Sequence, residues 1–152
     1  MARYRTTVDS PAPAAEVFAY LADFASVALW DPGVRSAELI SGTPGAINAR
    51  YRVVAAFLGR AVPLEYEILE SVPPTAQYPG RVELEAHTTD FRSHDVITVQ
   101  PTATGCSVTY DADLALKGVR RPFDPFLRLA FTIIGERARR GLAAAVLMKQ
   151  VA

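Results

Sequence analysis

The stretch "RVELEAHTTDFRSHDVITVQPTATGCSVTYDADLALKG" (residues 81–118) decides the fold. Residues 81–88 alternate, with Val82, Leu84 and Ala86 set against Arg81, Glu83, Glu85 and His87. After "TTD" the alternation resumes. Thr98 and Gln100 are polar, so Ile97 and Val99 face the core. Side chains two apart on a strand share a face, so Phe91, Ser93 and Asp95 point inward while Arg92 and His94 point outward. "PTATG" (101–105) reads as a turn, and residues 106–118 put Val108, Tyr110, Ala112, Leu114 and Leu116 on one face, opposite Asp111, Asp113 and Lys117. Three such runs joined by short turns belong to an antiparallel sheet with one wet face.

The pattern extends upstream. "NARYRVVAAFLG" (48–59) aligns Tyr51, Val53, Ala55 and Phe57, and "AVPLEYEILESV" (61–72) aligns Val62, Leu64, Tyr66 and Ile68. Val34–Ser41 is a further strand, closed by "SGTPG" (41–45), and residues 2–9 alternate more weakly. Between the first two strands lie two short helices. Ser10 or Pro11 opens one, with Glu16 favourable near its N-terminal dipole. Asp23 caps the other, which stops at Asp31 because Pro32 restricts the residue before it. From about 122 to 150, Leu127, Ala130, Phe131, Ile134, Ala138, Gly141, Leu142 and Ala145 follow the helical spacing. The order is strand, two short helices, six strands, long helix: an α+β arrangement in a single domain over 1–152. A curved sheet must cover its apolar face, and only the terminal helix is long enough. A cavity for a small molecule is expected between them.

Composition narrows the function. Of 152 residues, 50% are hydrophobic and 21% charged, with a formal net charge of +0. A nucleic-acid binder needs a basic face, which this balance does not supply. Cys106 is the single cysteine, so neither an internal disulfide nor a thiolate metal cluster can form. With no apolar leader in "MARYRTTVDS", this predicts a cytoplasmic protein. The run "GLAAAVLM" (141–148) is far short of a membrane span. Arginine is frequent and lysine is limited to Lys117 and Lys149, a usage typical of bacteria with GC-rich genomes. No cofactor is implied, since "SGTPGA" lacks the strand–helix context and lysine of a phosphate loop.

Residues 93–95 spell Ser-His-Asp, but parity splits them. His94 lies on the opposite face, and Ser93 and Asp95 are about 6.5–7 Å apart along the strand, so no triad forms. What remains is Asp95 on an apolar face, where a carboxylate must be hydrogen-bonded, paired or wet. Tyr51, Tyr66 and Tyr110 fall on the same concave face, each a flat ring with a hydroxyl that needs a partner. Phe57, Phe91 and Phe131 read as apolar lining. His87 and His94 face outward without a recognised metal spacing.

Three segments carry a family resemblance: "VDSPAPAAEVFAYLADFASVALWDPGV" (8–34), "YRVVAAFLGRAVPLEYEILESVPP" (51–74) and "VTYDADLALKG" (108–118) before a terminal amphipathic helix. Together they resemble the START-like, helix-grip SRPBCC superfamily, in its bacterial polyketide cyclase/dehydrase-like branch. The resemblance implies a hydrophobic pocket between sheet and terminal helix, with Trp30 near its mouth as wall or gate and Asp31 capping the adjoining turn. It implies no shared catalytic residue. The expected function is binding or transport of a small hydrophobic ligand (lipid-like, polyketide-like or aromatic), held by Trp30, Tyr51, Phe57, Tyr66, Phe91, Asp95, Tyr110 and Phe131. The alternatives are a cyclase or dehydratase in which Asp95 and a tyrosine move protons, and an interaction partner in a small bacterial regulatory pair.

Overall fold

The computed structural model describes residues 2–57, 59–117 and 135–147. Strand β1 (Ala2–Ser10) leads into helix α1 (Ala14–Ala22), a 3-10 turn (Phe24–Ser26) and helix α2 (Val27–Trp30). Six strands follow: β2 (Val34–Ser41), β3 (Arg50–Phe57), β4 (Arg60–Val72), β5 (Gly80–His87), β6 (Phe91–Thr102) and β7 (Gly105–Leu116). Helix α3 covers 135–147; the rest of the expected terminal helix lies outside the described residues.

All seven strands form one antiparallel sheet in the order β1-β7-β6-β5-β4-β3-β2. Strands β2 to β7 therefore sit beside their neighbours in sequence, and β1 pairs with β7. This is the α+β helix-grip architecture, a curved antiparallel sheet holding helices against its concave face.

Alternation sets that face. Val82, Leu84 and Ala86 of β5 are buried, as are Ser93, Asp95, Ile97 and Val99 of β6. The opposite face is charged and paired. Arg3 donates to Asp111, Arg81 lies 3.3 Å from Glu83 and 3.4 Å from Glu70, and Arg92 pairs with Glu85. His94 sits 2.6 Å from Glu83, and His87 sits 2.8 Å from Glu85. Exposed pairs of this kind add little stability each, but they mark the wet side of the sheet.

The first helix starts later than its opening residues suggest. Ser10 stays in β1, where its hydroxyl donates to the Val146 carbonyl at 3.0 Å and accepts from the Ala12 amide at 3.1 Å. Its side chain is committed to holding α3 against the sheet, and Pro13 takes the N-cap position instead. Val17, Phe18 and Leu21 then bury one face of α1. The second helix divides at its start: Asp23 accepts from the Ala25 amide over a 3-10 turn, and α2 ends where Pro32 follows Asp31.

Helix α3 buries Ala138, Leu142 and Val146, a spacing of four that makes one stripe. Two glycines set how close it comes. A Cβ at Gly135 would meet the ring of Tyr4, and one at Gly141 would overlap the Trp30 carbonyl. Among the described residues no helix is long and apolar enough to cross a membrane.

Helix propensity alone favours alanine over glycine at 141 by about 1 kcal/mol. The contact with Trp30 dictates the opposite: Gly141→Ala is expected to lower the thermal midpoint, at a cost of about 1–3 kcal/mol for overpacking. The exposed control Ala144→Gln should stay within about 0.5 kcal/mol of the parent. A higher midpoint for Gly141→Ala would mean that α3 does not rest on α2.

Candidate functional site

A cavity of about 160 Å³ lies between the concave sheet face and the helices. Its walls are mainly apolar, with Val53, Val62, Leu64 and Leu114 from the strands and Phe24 and Phe91 as flat surfaces. Four of its polar side chains, Tyr66, Ser93, Asp95 and Tyr110, converge on one spot on β6.

Asp95 is 2% exposed. In register it stands opposite Leu84 on β5 and Ala112 on β7. Tyr110 is two residues from Ala112 along β7, opposite Ile97, and reaches diagonally so that its hydroxyl donates to Asp95 Oδ2. Ser93, two residues before Asp95 on the same face, donates to Asp95 Oδ1 at 3.1 Å. The Tyr66 hydroxyl in turn donates to Ser93 Oγ at 2.9 Å. Tyr66 lies two strands away on β4, and the residue between it and Ser93 in the register is Ala86. A methyl side chain at 86 leaves the ring room to cross β5. The result is a chain, Tyr66 to Ser93 to Asp95, with Tyr110 closing on the second carboxylate oxygen.

Burial dominates the electrostatics. It pushes the Asp95 carboxyl up from the usual 3.8 to about 6, although the Tyr110 and Ser93 hydroxyls, which stabilise the anion, pull the other way. His94, behind the strand, also favours the anion, and Asp31 disfavours it. The Tyr66 and Tyr110 hydroxyls are raised well above the ordinary tyrosine value, by burial first and the nearby Asp95 charge second. Both stay protonated as donors.

Asp31 has two roles. Its Oδ1 accepts from the Gly33 amide at 2.8 Å, the expected turn cap. It also lines the cavity, where burial raises its carboxyl despite that bond. Tyr4 lines the cavity from β1, with its hydroxyl 3.3 Å from Glu136 Oε2 on α3. It shares its parity with the buried Val8 and Ser10, so the same alternation that marked Asp95 would have found it.

The expected ligand residues divide. Tyr66, Phe91, Asp95 and Tyr110 line the cavity together. Tyr51 does not. It is fully buried under the β2–β3 connection, its hydroxyl accepts from the Gly45 amide at 2.9 Å, and its ring meets Phe24 edge-on with centroids 6.2 Å apart. Trp30 is also set back from the cavity. It is 3% exposed and packs edge-on against Tyr110, with centroids 5.5 Å apart. Its other surroundings are a shallower depression that includes Leu29, Pro32 and Arg140. The side chain of Phe57 and the whole of Phe131 lie outside the described residues.

The separation argued for Ser93 and Asp95 also needs correcting. Their backbones are two residues apart, yet both side chains lean along the strand and meet in a hydrogen bond. His94 faces away on Glu83, so no triad results. Cys106 is buried, and burial raises its thiol, which suits packing rather than nucleophilic chemistry.

Comparison with known proteins bears on the fold and the family. Among curated proteins none matches the chain. Among solved structures, a START superfamily protein from Mycobacterium smegmatis superposes with a TM-score of 0.75 at 14% identity, covering 100% of both chains. TTHA0849 from Thermus thermophilus gives 0.72 at 19% identity, with 95% of each chain covered. The Zhui aromatase/cyclase from Streptomyces sp. R1128 gives 0.72 at 14% identity, over 97% of this chain and 92% of that one. Likeness at these identities establishes the fold. The family model described as polyketide cyclase / dehydrase and lipid transport matches residues 1–147, so the chain belongs to that family.

Proposed function

We propose that the protein binds a small, ring-containing hydrophobic molecule in the cavity between sheet and helices, with the polar end of the ligand at Asp95. The observation that carries this reading is an apolar, aromatic-walled space ending in one buried carboxyl group whose partners are hydroxyls. Ligand sites are typically apolar with a few convergent polar groups that fix orientation. The size favours the aromatic end of the expected range. An engineered cavity of about 150 Å³ lined by aliphatic and aromatic side chains holds benzene, and this one is about 160 Å³. The family description, which names polyketide cyclases and lipid transport, supports hydrophobic cargo in general.

One observation favours a catalytic reading as well. A carboxyl group near 6 exchanges its proton around neutral pH, as a general acid or base must. In a cyclase- or dehydratase-type reaction Asp95 would take or return the proton, and Tyr110 would hold it in place.

Small aromatic compounds such as toluene or indole should raise the thermal midpoint in a concentration-dependent way, by about 2–4 °C per kcal/mol of stabilisation at the ligand concentration used. A flat response from every ring compound and every lipid tried would defeat the binding reading.

Asp95 also sets a pH dependence. Its folded value is raised above the unfolded one, so the folded state holds this proton more tightly. Its burial costs nothing below about pH 4, where both states are protonated. The cost grows as pH rises and is complete above about 6, reaching about 3 kcal/mol. The stability of Asp95→Asn relative to the parent should therefore improve by about that amount between about pH 4 and about pH 8. A difference that stays constant over this range in urea titrations would contradict the buried, raised carboxyl.

A further inference from the structure

The hydrogen-bond inventory of the cavity narrows the ligand further, on the basis of the ring-binding reading above. Each hydroxyl beside Asp95 has one hydrogen to give. Tyr66 gives its hydrogen to Ser93, and Ser93 and Tyr110 give theirs to Asp95. With Asp95 ionised, the cluster has no hydrogen left for a ligand and offers only lone pairs. Each carboxylate oxygen still has acceptor capacity after taking one bond.

Charge points the same way. Asp31 and Asp95 both line the cavity, and the Asp31 charge disfavours ionisation of Asp95. Among the described lining residues there is no lysine, arginine or histidine. None of the ion pairs found among the described residues involves either carboxylate. The walls include Phe24, Phe91, Tyr66 and Tyr110, whose ring faces attract cations.

We infer that the ligand carries a positively charged nitrogen: a small arylalkyl-ammonium, its ring among the aromatic walls and its N–H groups donating to Asp95. Desolvating Asp95 is a cost already met on folding, so it is not charged again on binding. A cation gains from the negative charge that Asp31 and Asp95 bring to the cavity. A neutral alcohol gains one ordinary hydrogen bond, and an anion is repelled.

The test compares benzylammonium, benzyl alcohol and benzoate on the intact protein by calorimetry. These probes are close in size and differ in charge. At about pH 8 benzylammonium should bind about tenfold more tightly than benzyl alcohol, the margin of a charged over a neutral hydrogen bond, and benzoate should bind least. An aliphatic ammonium stays protonated between about pH 5 and about pH 8. Its affinity should fall as pH drops through the Asp95 transition, while that of benzyl alcohol changes less. Among the described residues, the other titratable groups facing the site are Asp31, Tyr4, Tyr66 and Tyr110, with Glu136 and Arg139 beyond Tyr4 and His94 behind the strand. The tyrosines do not titrate in this range, and protonation of Asp31 would act in the same direction as that of Asp95. Asp95→Asn should bring the ammonium-to-alcohol ratio close to one. If benzyl alcohol or benzoate matches or exceeds benzylammonium at about pH 8, the cation assignment is wrong while ring binding stands. If none of the probes binds, ring binding itself falls, and this inference with it.

Discussion

A carboxyl group shut away from water on an apolar sheet face must be solvated by something, and the arrangement around Asp95 follows from that requirement. Burial of an unpaired carboxylate costs several kcal/mol unless hydrogen bonds replace the lost water. Here two hydroxyls supply them, and a third supports one of the two. Ser93 donates from the same strand, Tyr110 from β7, and Tyr66 reaches across β5 to hold Ser93 in place. The small residues Ala86 and Ala112 are the counterpart of this cluster, because they leave space on the strands that the tyrosines cross or flank. Trp30 packs edge-on against Tyr110, so helix α2 helps to orient a hydroxyl of β7. The cluster is costly to assemble and yields a rigid polar point in an apolar space, which is what a specific ligand site needs.

Much of this was legible in the sequence because a strand's period is two. The alternation in 81–118 separated His94 from Ser93 and Asp95 and predicted β5, β6 and β7 to within a residue or two of their observed ends. Together with the alternation in 61–72 it also put Tyr66, Phe91, Asp95 and Tyr110 on a common face, and these four line one cavity. What alternation does not carry is which part of that face stays open. Tyr51 has the right parity, but the β2–β3 connection folds over it and takes up its hydroxyl through Gly45. Trp30 is on a four-residue helix, where no period fixes a direction. The Ser93–Asp95 bond and the double use of Asp31 depend on side-chain reach, which spacing along the backbone understates.

The helix-grip fold provides the enclosure, and the residues on it line the cavity. The structural neighbours share the fold at 14–19% identity. In this chain the helical cover is fitted closely. Gly135 lies against Tyr4, Gly141 lies against Trp30, and Ser10 holds the Val146 carbonyl. Two of these three contacts involve residues that line the cavity or brace it, so the seating of α3 and the shape of the site are coupled. A change that lifts α3 would alter the cavity before it unfolded the sheet.

The most direct measurement is an NMR titration of the Asp95 side-chain carboxyl carbon, with and without a bound ring compound. The account predicts a midpoint of about 6 in the free protein, displaced when the cavity is filled. A midpoint in the ordinary aspartate range, unmoved by any ring compound that binds, would contradict it.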